Sequence, residues 1–456
     1  MSKIILHIDL NAFFVNCEIL KNPSLKGKPV IIGHQGRAGI VSTCSYEARK
    51  KGVSSGMPTF KAVKLCKDAI IIPVDFKFYE KKSKEFFNFV SKYAKTIQIA
   101  SVDECYVDMT NELKNINNVE LFLKNMQNEL LKETGLSCSI GVAPTKFLAK
   151  MASDMKKPLG LTIIRKKDAK KILSPLPIDD FYGIGKKTTP KLKELGIKTI
   201  GDLIKLVDED DPNLKNIFGK FYIYISNVIN GTSDNVVSPE PFDPKSIGSS
   251  ETLMFDTNNY DEIKNGLVSI AKEITKKLNE INKLTSTIQI TLKDDNFKLM
   301  NRSKTLDKPT NKEEIIIDAV IRLLDSNYNE NKMIRLIGVT LQNLVDQNDV
   351  QIQMSIFDNY EEIEQECATS LLVNELNRKM NKNVFIKASQ IKKEKKHGIR
   401  WRYRQIFWIS ACWKRCEQRH YSILLLRHQG IRKRFKQKEY WWFLFNRYNR
   451  FYKNTI

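Results

Sequence analysis

The chain has 456 residues, with 75 Lys and Arg against 52 Asp and Glu and a net charge of +23. Its charged fraction of 28% and apolar fraction of 42% are those of a folded globular protein, which excludes wholesale disorder. No apolar run approaches the roughly 18 residues that a membrane span needs, so no membrane partner is expected. A basic excess of this size favours a polyanionic partner such as nucleic acid.

The beginning of the chain and its cysteines predict a cytoplasmic protein. Ser2 and Lys3 lead directly into the apolar segment IILHI, which leaves no room for a secretory signal. The eight cysteines are scattered without a paired spacing. In a large chain without an export signal, such cysteines are expected to be reduced.

The first predicted element is a buried strand over residues 3–8 that ends at Asp9. Residues 10–20 have helical spacing, with Phe13 and Phe14 near one face. Glycine and proline then punctuate a segment that predicts a small domain of short strands and turns, with one helix at about 57–67. An amphipathic helix is predicted over 77–95.

Residues 97–109, IQIASVDECYVDM, predict a β-hairpin whose turn carries two adjacent carboxylates, Asp103 and Glu104. Two anions held together repel each other unless a cation lies between them, and oxygen ligands select Mg²⁺ or Mn²⁺. A solvated Asp-Glu turn is the simpler alternative, because such turns are common. The second acidic strand end at Asp9 favours the metal site.

A helix at about 117–133 and a strand at 137–142 complete the first domain. The order strand, helix, strand-turn-strand, helix, strand predicts an α+β layer, an antiparallel sheet backed by helices. This order places Asp9 and the Asp103-Glu104 turn on neighbouring strands. Three carboxylates there can share a pair of metal ions, which is the arrangement that phosphoryl transfer requires.

Gly183-Ile184-Gly185 lies between two helical patterns and predicts a helix-hairpin-helix motif. Its glycines and N–H groups suit a phosphate, and Lys186 and Lys187 add positive charge. An ordinary corner between two helices is the alternative. Phosphate contacts of this kind hold a duplex without reading its sequence.

The proline-rich stretch SPEPFDP at 238–244 marks a linker. Beyond it the pattern predicts a small α+β domain with strands near 246–254, 285–293, 297–304 and 334–344 and helices at 261–281 and 312–326. Its basic residues suit a sheet that lines a DNA groove, although a solvated face has the same composition; they are Lys245, Lys293, Lys298, Arg302, Lys304 and Arg335.

Two features follow this domain. Gln353-Met354-Ser355-Ile356-Phe357 is an apolar segment in a polar stretch, and it is either a minor packing contact or a linear peptide that fills pockets of a partner. Residues 396–456 hold all five tryptophans and 16 Lys and Arg against two acidic residues. That tail is either a basic aromatic nucleic-acid segment or sequence that does not fold, such as a shifted reading frame.

Taken together, these motifs resemble the Y-family translesion DNA polymerases, most closely the bacterial DinB (DNA polymerase IV) type. The resemblance covers about 3–345 and extends more weakly to about 395. Its motifs are HIDLNAFFVNCE, STCSYEARKKGV, ASVDECYVD, SIGVAPTKFLAKMASDMKKPLG, FYGIGKKT, KSIGSSETL and MIRLIGVTL.

The resemblance implies a right-hand α+β polymerase built from several domains. These are a palm (1–166) with small fingers inserted at about 18–75, a helix-hairpin-helix thumb (167–237), a linker (238–245) and a little finger (246–345). A tail (346–395) carries the clamp-binding peptide, and the basic tail (396–456) has no counterpart. The expected protein is a cytoplasmic monomer that binds primed template DNA, dNTPs, two Mg²⁺ ions and the bacterial sliding clamp.

Carried over by position, the resemblance assigns each site residue. Asp9, Asp103 and Glu104 would be the catalytic metal ligands, with the Leu10 carbonyl as a further ligand. Phe14 would be the steric gate that excludes a ribose 2′-OH. The expected nucleotide-binding residues are Phe13, Phe14, Thr43, Tyr46, Arg49 and Lys157; the DNA-binding residues are Gly183, Gly185, Lys186, Lys187, Lys298, Arg302 and Arg335; the clamp-binding residues are Gln353, Met354, Ile356 and Phe357.

Two positions depart from the family pattern. Asn11 stands where many relatives have a third nearby carboxylate, which would weaken metal affinity. Ile40 stands where small residues often cover the nascent base pair, which would narrow the range of bulky lesions. Two rival functions use the same features: a two-metal nuclease, which has no need for Phe14, and a non-catalytic DNA- or clamp-binding scaffold, which has no need for intact carboxylates.

Overall fold

The computed structural model describes residues 3–233, 235–347, 385–386 and 425–426. The chain divides into two compact units, Met1–Val350 and Gln351–Ile456. Over the described residues, no helix combines the length and the apolar character needed to cross a membrane.

The helices and strands of the first unit follow in chain order. Up to residue 233 they are β1 (Ile5–Leu10), α1 (Phe13–Lys21), β2 (Val30–Gly33), β3 (Val41–Cys44), α2 (Tyr46–Lys50), α3 (Thr59–Leu65), β4 (Ile70–Ile72), α4 (Phe76–Val90), β5 (Ile97–Ile99), β6 (Glu104–Asp108), α5 (Val119–Thr134), β7 (Cys138–Ala143), α6 (Lys146–Met155), β8 (Leu161–Ile163), α7 (Ala169–Leu173), α8 (Thr189–Glu194), α9 (Ile200–Asp208), α10 (Pro212–Phe218) and α11 (Phe221–Ile229). After the linker they are β9 (Ser246–Thr257), α12 (Tyr260–Glu280), β10 (Lys283–Asp294), β11 (Leu299–Thr310), α13 (Glu313–Asp325) and β12 (Ile334–Asp346). In the second unit, β13 (Phe385–Ile386) pairs antiparallel with β14 (Leu425–Leu426).

The palm segment contains a five-stranded sheet in the order β5-β6-β1-β7-β8. The predicted hairpin is confirmed, since β5 pairs antiparallel with β6. The central strand β1 is antiparallel to both β6 and β7. The prediction of a purely antiparallel sheet is wrong at one edge, where β8 runs parallel to β7. Helix α6 supplies the crossover connection that two parallel strands require.

All six residues of β1 are buried, and its two faces pack against different layers. Leu6, Ile8 and Leu10 join the core formed with α1, α4 and α5. Ile5 joins the core formed with α6 and the thumb helices. Because side chains alternate along a strand, His7 and Asp9 lie on the same face as Ile5. The strand therefore directs its acidic residue toward α6.

The fingers segment contains a three-stranded sheet in the order β3-β2-β4, with β2 antiparallel to β3 and parallel to β4. The expectation of a single helix is wrong, because α2 precedes α3. Ser45 caps α2 by accepting a hydrogen bond from the Ala48 N–H. A helix of five residues is too short to show a periodic pattern in sequence.

The thumb segment is helical and shares a core with α6, in which Phe147 of α6 packs against Phe181 with ring centroids 4.9 Å apart. A short 3₁₀ helix, Ile178–Asp180, and α8 flank the predicted hairpin turn. Gly183 has a φ of 101°, which L side chains rarely adopt, so this turn requires glycine.

The little-finger segment is a four-stranded antiparallel sheet in the order β11-β10-β12-β9. Helices α12 and α13 pack together with β10 and β12 around one apolar core. From Ile288 to Lys293 of β10 the apolar residues are buried and the polar residues between them are not, which is the alternation that made this strand predictable from sequence. The predicted strands and helices of this segment are confirmed.

Candidate active site

The three predicted catalytic carboxylates lie together where β1 and β6 meet the turn that precedes β6. Asp9 stands directly opposite Glu104 in the β1–β6 register. The Leu10 N–H donates to the Asp103 carbonyl at 2.9 Å, which joins the turn to the end of β1. The Asp103 carboxylate accepts a hydrogen bond from Ser101 Oγ at 2.5 Å. Residues that are far apart in sequence therefore form one acidic cluster.

The pKa of Asp103 shows that the three carboxylates interact electrostatically. Burial raises the pKa of Asp103, and the Ser101 hydrogen bond opposes that effect. The negative charges of Asp9 and Glu104 raise the pKa further. A cation placed among the three groups would relieve this repulsion.

Two lysines following β7 neutralise part of the cluster. Lys150 Nζ lies 3.2 Å from Asp9 Oδ2 and 2.7 Å from Glu104 Oε2. Lys157 Nζ lies 2.8 Å from Asp9 Oδ2 and 2.7 Å from Asp154 Oδ1. Burial opposes the charged form of both lysines, but the neighbouring carboxylates outweigh burial and raise the pKa of each. Both ammonium groups are therefore charged at neutral pH.

His7 is a buried neighbour of Glu104 in the same cluster. It is fully buried, and its Nδ1 lies 2.8 Å from Ser153 Oγ. Its Nε2 lies 3.3 Å from Glu104 Oε2 and makes no hydrogen bond of good geometry within the described residues. Interaction with His7 lowers the pKa of Glu104, burial opposes this, and Lys150 adds to the lowering. Glu104 is therefore ionised and fixed in orientation.

The donor set fits a divalent cation. One ligand atom each from His7, Asp9 and Glu104 lies within 4.8 Å of the others. Carboxylate oxygens favour hard cations such as Mg²⁺ and Mn²⁺. The ammonium of Lys150 already lies between Asp9 and Glu104, so positive charge is accommodated at that point.

Lys150→Met should destabilise the protein in EDTA, and Mn²⁺ should restore much of the loss. Removing one partner of a buried ion pair costs about 3 kcal/mol, because it leaves the other charge uncompensated. Mn²⁺ should also bind the variant more tightly, since no ammonium competes for Asp9 and Glu104. Thermal unfolding with and without Mn²⁺ and Mn²⁺ titration by electron paramagnetic resonance measure both effects.

Lys84→Met is the matched control, because Lys84 is 71% exposed and its one ion pair within the described part of the chain is with Glu80 on the surface of α4. It should change neither measurement appreciably. Mn²⁺ affinity that is unchanged or weaker in Lys150→Met would contradict competition between the ammonium and the metal.

The predicted triphosphate contacts of the fingers form one group. Arg49 Nε donates to the Cys44 carbonyl at 3.2 Å, and its Nη2 lies 3.5 Å from Thr43 Oγ1. The guanidinium stacks 4.9 Å from the centroid of the Tyr46 ring. The Tyr46 hydroxyl is buried and has no hydrogen-bond partner within the described residues. Burial raises the pKa of Tyr46, the positive charges of Arg49 and Lys157 oppose that effect, and the negative charge of Asp9 adds to it. Tyr46 therefore lies within electrostatic range of the acidic cluster.

Phe13 and Phe14 have different environments at the start of α1. Phe13 is 3% exposed and belongs to the palm core. Phe14 is half-buried and stacks on Tyr79, with ring centroids 4.3 Å apart and an interplanar angle of 14°. Of the two predicted aromatics, Phe14 is the one that presents an accessible face.

The two residues that depart from the pattern of the resembled family have different environments. Asn11 is 2% exposed, and its Oδ1 accepts a hydrogen bond from Ser139 Oγ at 2.8 Å while its Nδ2 lies 3.3 Å from Ser137 Oγ. It is thus part of the palm framework. Ile40 is 46% exposed at the end of the loop before β3, where it forms an isolated bridge with Pro58.

The predicted DNA-binding residues form two separate sets. Gly183, Gly185, Lys186 and Lys187 are exposed at the thumb hairpin, and a Cβ at Gly185 would meet no atom within 4 Å. Backbone at that position is open to a phosphate, and the two lysines that follow it are accessible.

In the little finger, the predicted cations are partly engaged with the protein. Lys298 is exposed in the β10–β11 turn. Arg302 Nε donates to Asn327 Oδ1 at 2.9 Å. Arg335 lies 3.7 Å from Asp256 Oδ1 and stacks on Phe297 at 4.8 Å, so it is not a free cation on the sheet.

The predicted clamp-binding residues, Gln353, Met354, Ile356 and Phe357, lie outside the described residues, as does nearly all of the basic tail.

Sequence reasoning missed His7, Lys150 and Asp154 as groups that support the carboxylates; it predicted Lys157 only as a nucleotide contact and missed its pairing with Asp9. His7 precedes Asp9 by two residues on a strand, a spacing that places both on one face. Lys150, Asp154 and Lys157 follow one another at three- to four-residue intervals, which is the spacing of neighbours on a helix surface. Both spacings are visible in the sequence, but neither one identifies the distant residue that each side chain contacts.

Comparison with known proteins identifies the family. Models match for the impB/mucB/samB family at residues 8–154, the IMS family HHH motif at 166–197 and the impB/mucB/samB family C-terminal domain at 244–354. DNA polymerase IV of Bacillus velezensis is 38% identical over 395 residues, which cover 86% of this chain and 94% of the relative. DNA polymerase IV 1 of Bacillus subtilis is 37% identical over 396 residues, with coverage of 86% and 94%.

Solved structures agree with these relatives. The Y-family DNA polymerase chimera Dbh-Dpo4(243-245)-Dbh is 30% identical with a TM-score of 0.66, covering 75% of this chain and 99% of the chimera. The chain belongs to the Y-family DNA polymerases. An insertion ternary complex of Dbh DNA polymerase matches with the same identity and coverage and a TM-score of 0.53.

As a Y-family member, the chain is a DNA-directed DNA polymerase of the translesion type. The predicted multidomain α+β fold is confirmed, and the helix-hairpin-helix prediction coincides with the matched HHH motif. Membership also decides between the rival functions in favour of a polymerase over a nuclease or a scaffold.

Proposed function

We propose that this Y-family polymerase extends a primer on template DNA by nucleotidyl transfer at Asp9, Asp103 and Glu104, in damage tolerance and DNA repair. The observation that carries the proposal is the register that sets Asp9 opposite Glu104, with Asp103 joined to the end of β1. Asp9, Asp103, Glu104 and the Leu10 carbonyl would hold two Mg²⁺ ions. Bound there, the ions would activate the primer 3′-OH and stabilise the leaving pyrophosphate.

The chain's own residues would bind and orient the incoming dNTP. Thr43, Tyr46, Arg49 and Lys157 offer two hydroxyls, a guanidinium and an ammonium, which are the donors that a triphosphate needs. The buried and unpartnered Tyr46 hydroxyl supports this assignment, because a buried polar group without a partner is costly unless a ligand satisfies it. Phe13 is buried in the palm core with its ring centroid 5.5 Å from that of Phe14, so it would support the nucleotide site through Phe14.

Phe14 would select the sugar. Its half-buried ring is backed by Tyr79, so it cannot retreat when a ribose 2′-OH approaches. A deoxyribose leaves that space empty, and discrimination therefore arises from a clash with the wrong substrate.

DNA would be held by phosphate contacts outside the palm. Gly183, Gly185, Lys186 and Lys187 suit one strand at the thumb, and Lys298 and Arg302 suit the duplex at the little finger. Arg335 would contribute only if it exchanged its partners Asp256 and Phe297 for DNA. A monomeric state and a cytoplasmic location complete the proposal.

The test is primer extension on a primed template with Mg²⁺ and dNTPs, using end-labelled primer. Lengthening of the primer supports the proposed reaction, whereas shortening without dNTPs would indicate a nuclease at the same carboxylates. A template carrying a bulky base adduct, run against an undamaged template, measures lesion bypass.

Replacing Met354, Ile356 and Phe357 together with Ala should lower synthesis that depends on a bacterial sliding clamp about tenfold or more, since apolar anchors carry most of the energy in such peptides. Synthesis without the clamp should stay as in the unaltered chain. Product length with and without clamp measures the effect, and an equal fall in both reactions would mean that the segment serves folding.

A further inference from the structure

The carboxylate of Glu18 is buried in the palm although no part of the proposed chemistry uses it. Glu18 is 6% exposed and lies on α1, one turn after Phe14. It accepts a hydrogen bond from the Tyr79 hydroxyl at 2.8 Å and pairs with Lys21 Nζ at 3.0 Å. Burying a charged group is costly unless it is paired and hydrogen-bonded, and Glu18 meets both conditions.

Tyr79 connects this carboxylate to the ring of Phe14. It is 2% exposed on α4, and its ring stacks almost parallel to Phe14 with centroids 4.3 Å apart. Phe76 meets the rings of Phe14 and Tyr79 edge-on, at 6.2 and 6.4 Å. Burial raises the pKa of the Tyr79 hydroxyl, and the Glu18 bond raises it further, so the hydroxyl keeps its proton and donates.

Lys21 extends the connection to the start of α4. Its Nζ lies 2.6 Å from Asp75 Oδ2, and Asp75 also caps α4 by accepting from the Phe78 N–H. The ammonium lies 4.5 Å from the centroid of the Phe78 ring. Helices α1 and α4 are therefore joined by charged hydrogen bonds on one side and by stacked rings on the other.

We propose that Glu18, acting through Tyr79, is a positioning residue that sets the depth of the Phe14 ring and so the selectivity for deoxyribose over ribose. The inference rests on the proposed role of Phe14 as steric gate. A clash discriminates only when the blocking group cannot move away, and small displacements are enough to lose such discrimination. The Tyr79 hydroxyl bond fixes the surface against which Phe14 rests.

Three variants separate the hydroxyl bond from the bulk of the rings. Tyr79→Phe removes only the hydroxyl, Glu18→Leu removes the acceptor, and Glu18→Gln keeps an acceptor without the charge. Kinetics of single-nucleotide insertion give kcat and KM separately for each dNTP and its rNTP. Tyr79→Phe and Glu18→Leu should raise the rNTP-to-dNTP ratio of kcat/KM about tenfold, with dNTP insertion nearly unchanged, and Glu18→Gln should stay close to the unaltered chain.

Tyr222→Phe is the matched control. It removes a tyrosine–carboxylate hydrogen bond of similar length, from Tyr222 to Asp210 at 2.9 Å, in the thumb. It should leave the sugar ratio unchanged and lower stability by a smaller amount, because the Asp210 side chain is 67% exposed whereas Glu18 is buried. Thermal unfolding of all four variants reports stability alongside the kinetics.

Phe14→Val distinguishes failure of this inference from failure of the proposed gate. If Phe14→Val admits ribonucleotides while Tyr79→Phe and Glu18→Leu leave the ratio unchanged, Glu18 is only structural and the inference is overturned. If Phe14→Val also leaves the ratio unchanged, the gate itself is misassigned. In the Phe14→Val background, Tyr79→Phe should add no further ribonucleotide insertion, and an additive effect would overturn action through Phe14.

Discussion

Asp103→Ala should abolish primer extension while leaving DNA binding intact. The carboxylate lies in the acidic cluster with Asp9 and Glu104, whereas the proposed phosphate contacts lie in the thumb and little finger. Losing one group that stabilises charge in a transition state costs about 10²- to 10³-fold in rate, and a shared ligand should cost at least that much. Single-turnover extension measures the rate, and fluorescence anisotropy with a labelled primer–template measures binding.

Asp261→Ala is the matched control, because Asp261 is an exposed carboxylate in the first turn of α12. Its loss should affect neither rate nor DNA affinity. Synthesis by Asp103→Ala within tenfold of the unaltered rate would remove Asp103 from the metal-binding set. Parallel loss of extension and DNA binding would indicate a damaged fold.

Phe14→Val should increase ribonucleotide insertion about 10²-fold relative to deoxyribonucleotide insertion. The smaller side chain leaves room for the 2′-OH, and removing several methylene-sized groups from a contact is worth about 1–3 kcal/mol of discrimination. Insertion of dNTPs should fall only slightly, because deoxyribose does not depend on the ring for its fit. Steady-state insertion of CTP and dCTP opposite template guanine provides the measurement.

Phe60→Val serves as the control, since Phe60 is 54% exposed on α3 in the fingers and stacks on no ring near Phe14 within the described residues. It should leave sugar selection as it is. Equal CTP and dCTP effects in Phe14→Val would mean that Phe14 serves general packing and that sugar selection resides elsewhere.

The sequence predicted the elements that carry strong periodicity. The alternation in 97–109 correctly predicted the hairpin. The order of the elements correctly predicted that the Asp103-Glu104 turn lies beside Asp9, because it puts the two on neighbouring strands of one sheet. The little-finger strands were also predicted well, since one face of that sheet is buried and the other is not.

What the sequence could not supply were contacts between distant residues and very short elements. His7 and Lys150 lie close to Glu104 only because of the β1–β6 register and the packing of α6 on the sheet. The five-residue α2 and the three-residue β8 are too short to produce a pattern, and β8 is fixed by pairing with β7. Arg335 has a partner, Asp256, that no local spacing indicates.

The number of residues in strand β1 cannot change without disturbing the protein core. Leu6, Ile8 and Leu10 pack into one core and Ile5 into another, so neither face of the strand borders solvent. Deleting a single residue within the strand would exchange the two faces for the residues on one side of the deletion, so that a leucine would turn toward α6 and Asp9, the proposed catalytic residue, toward the apolar core. Insertions and deletions in this gene should accordingly be tolerated in surface loops and be lethal to activity within these six codons, whichever residue is lost.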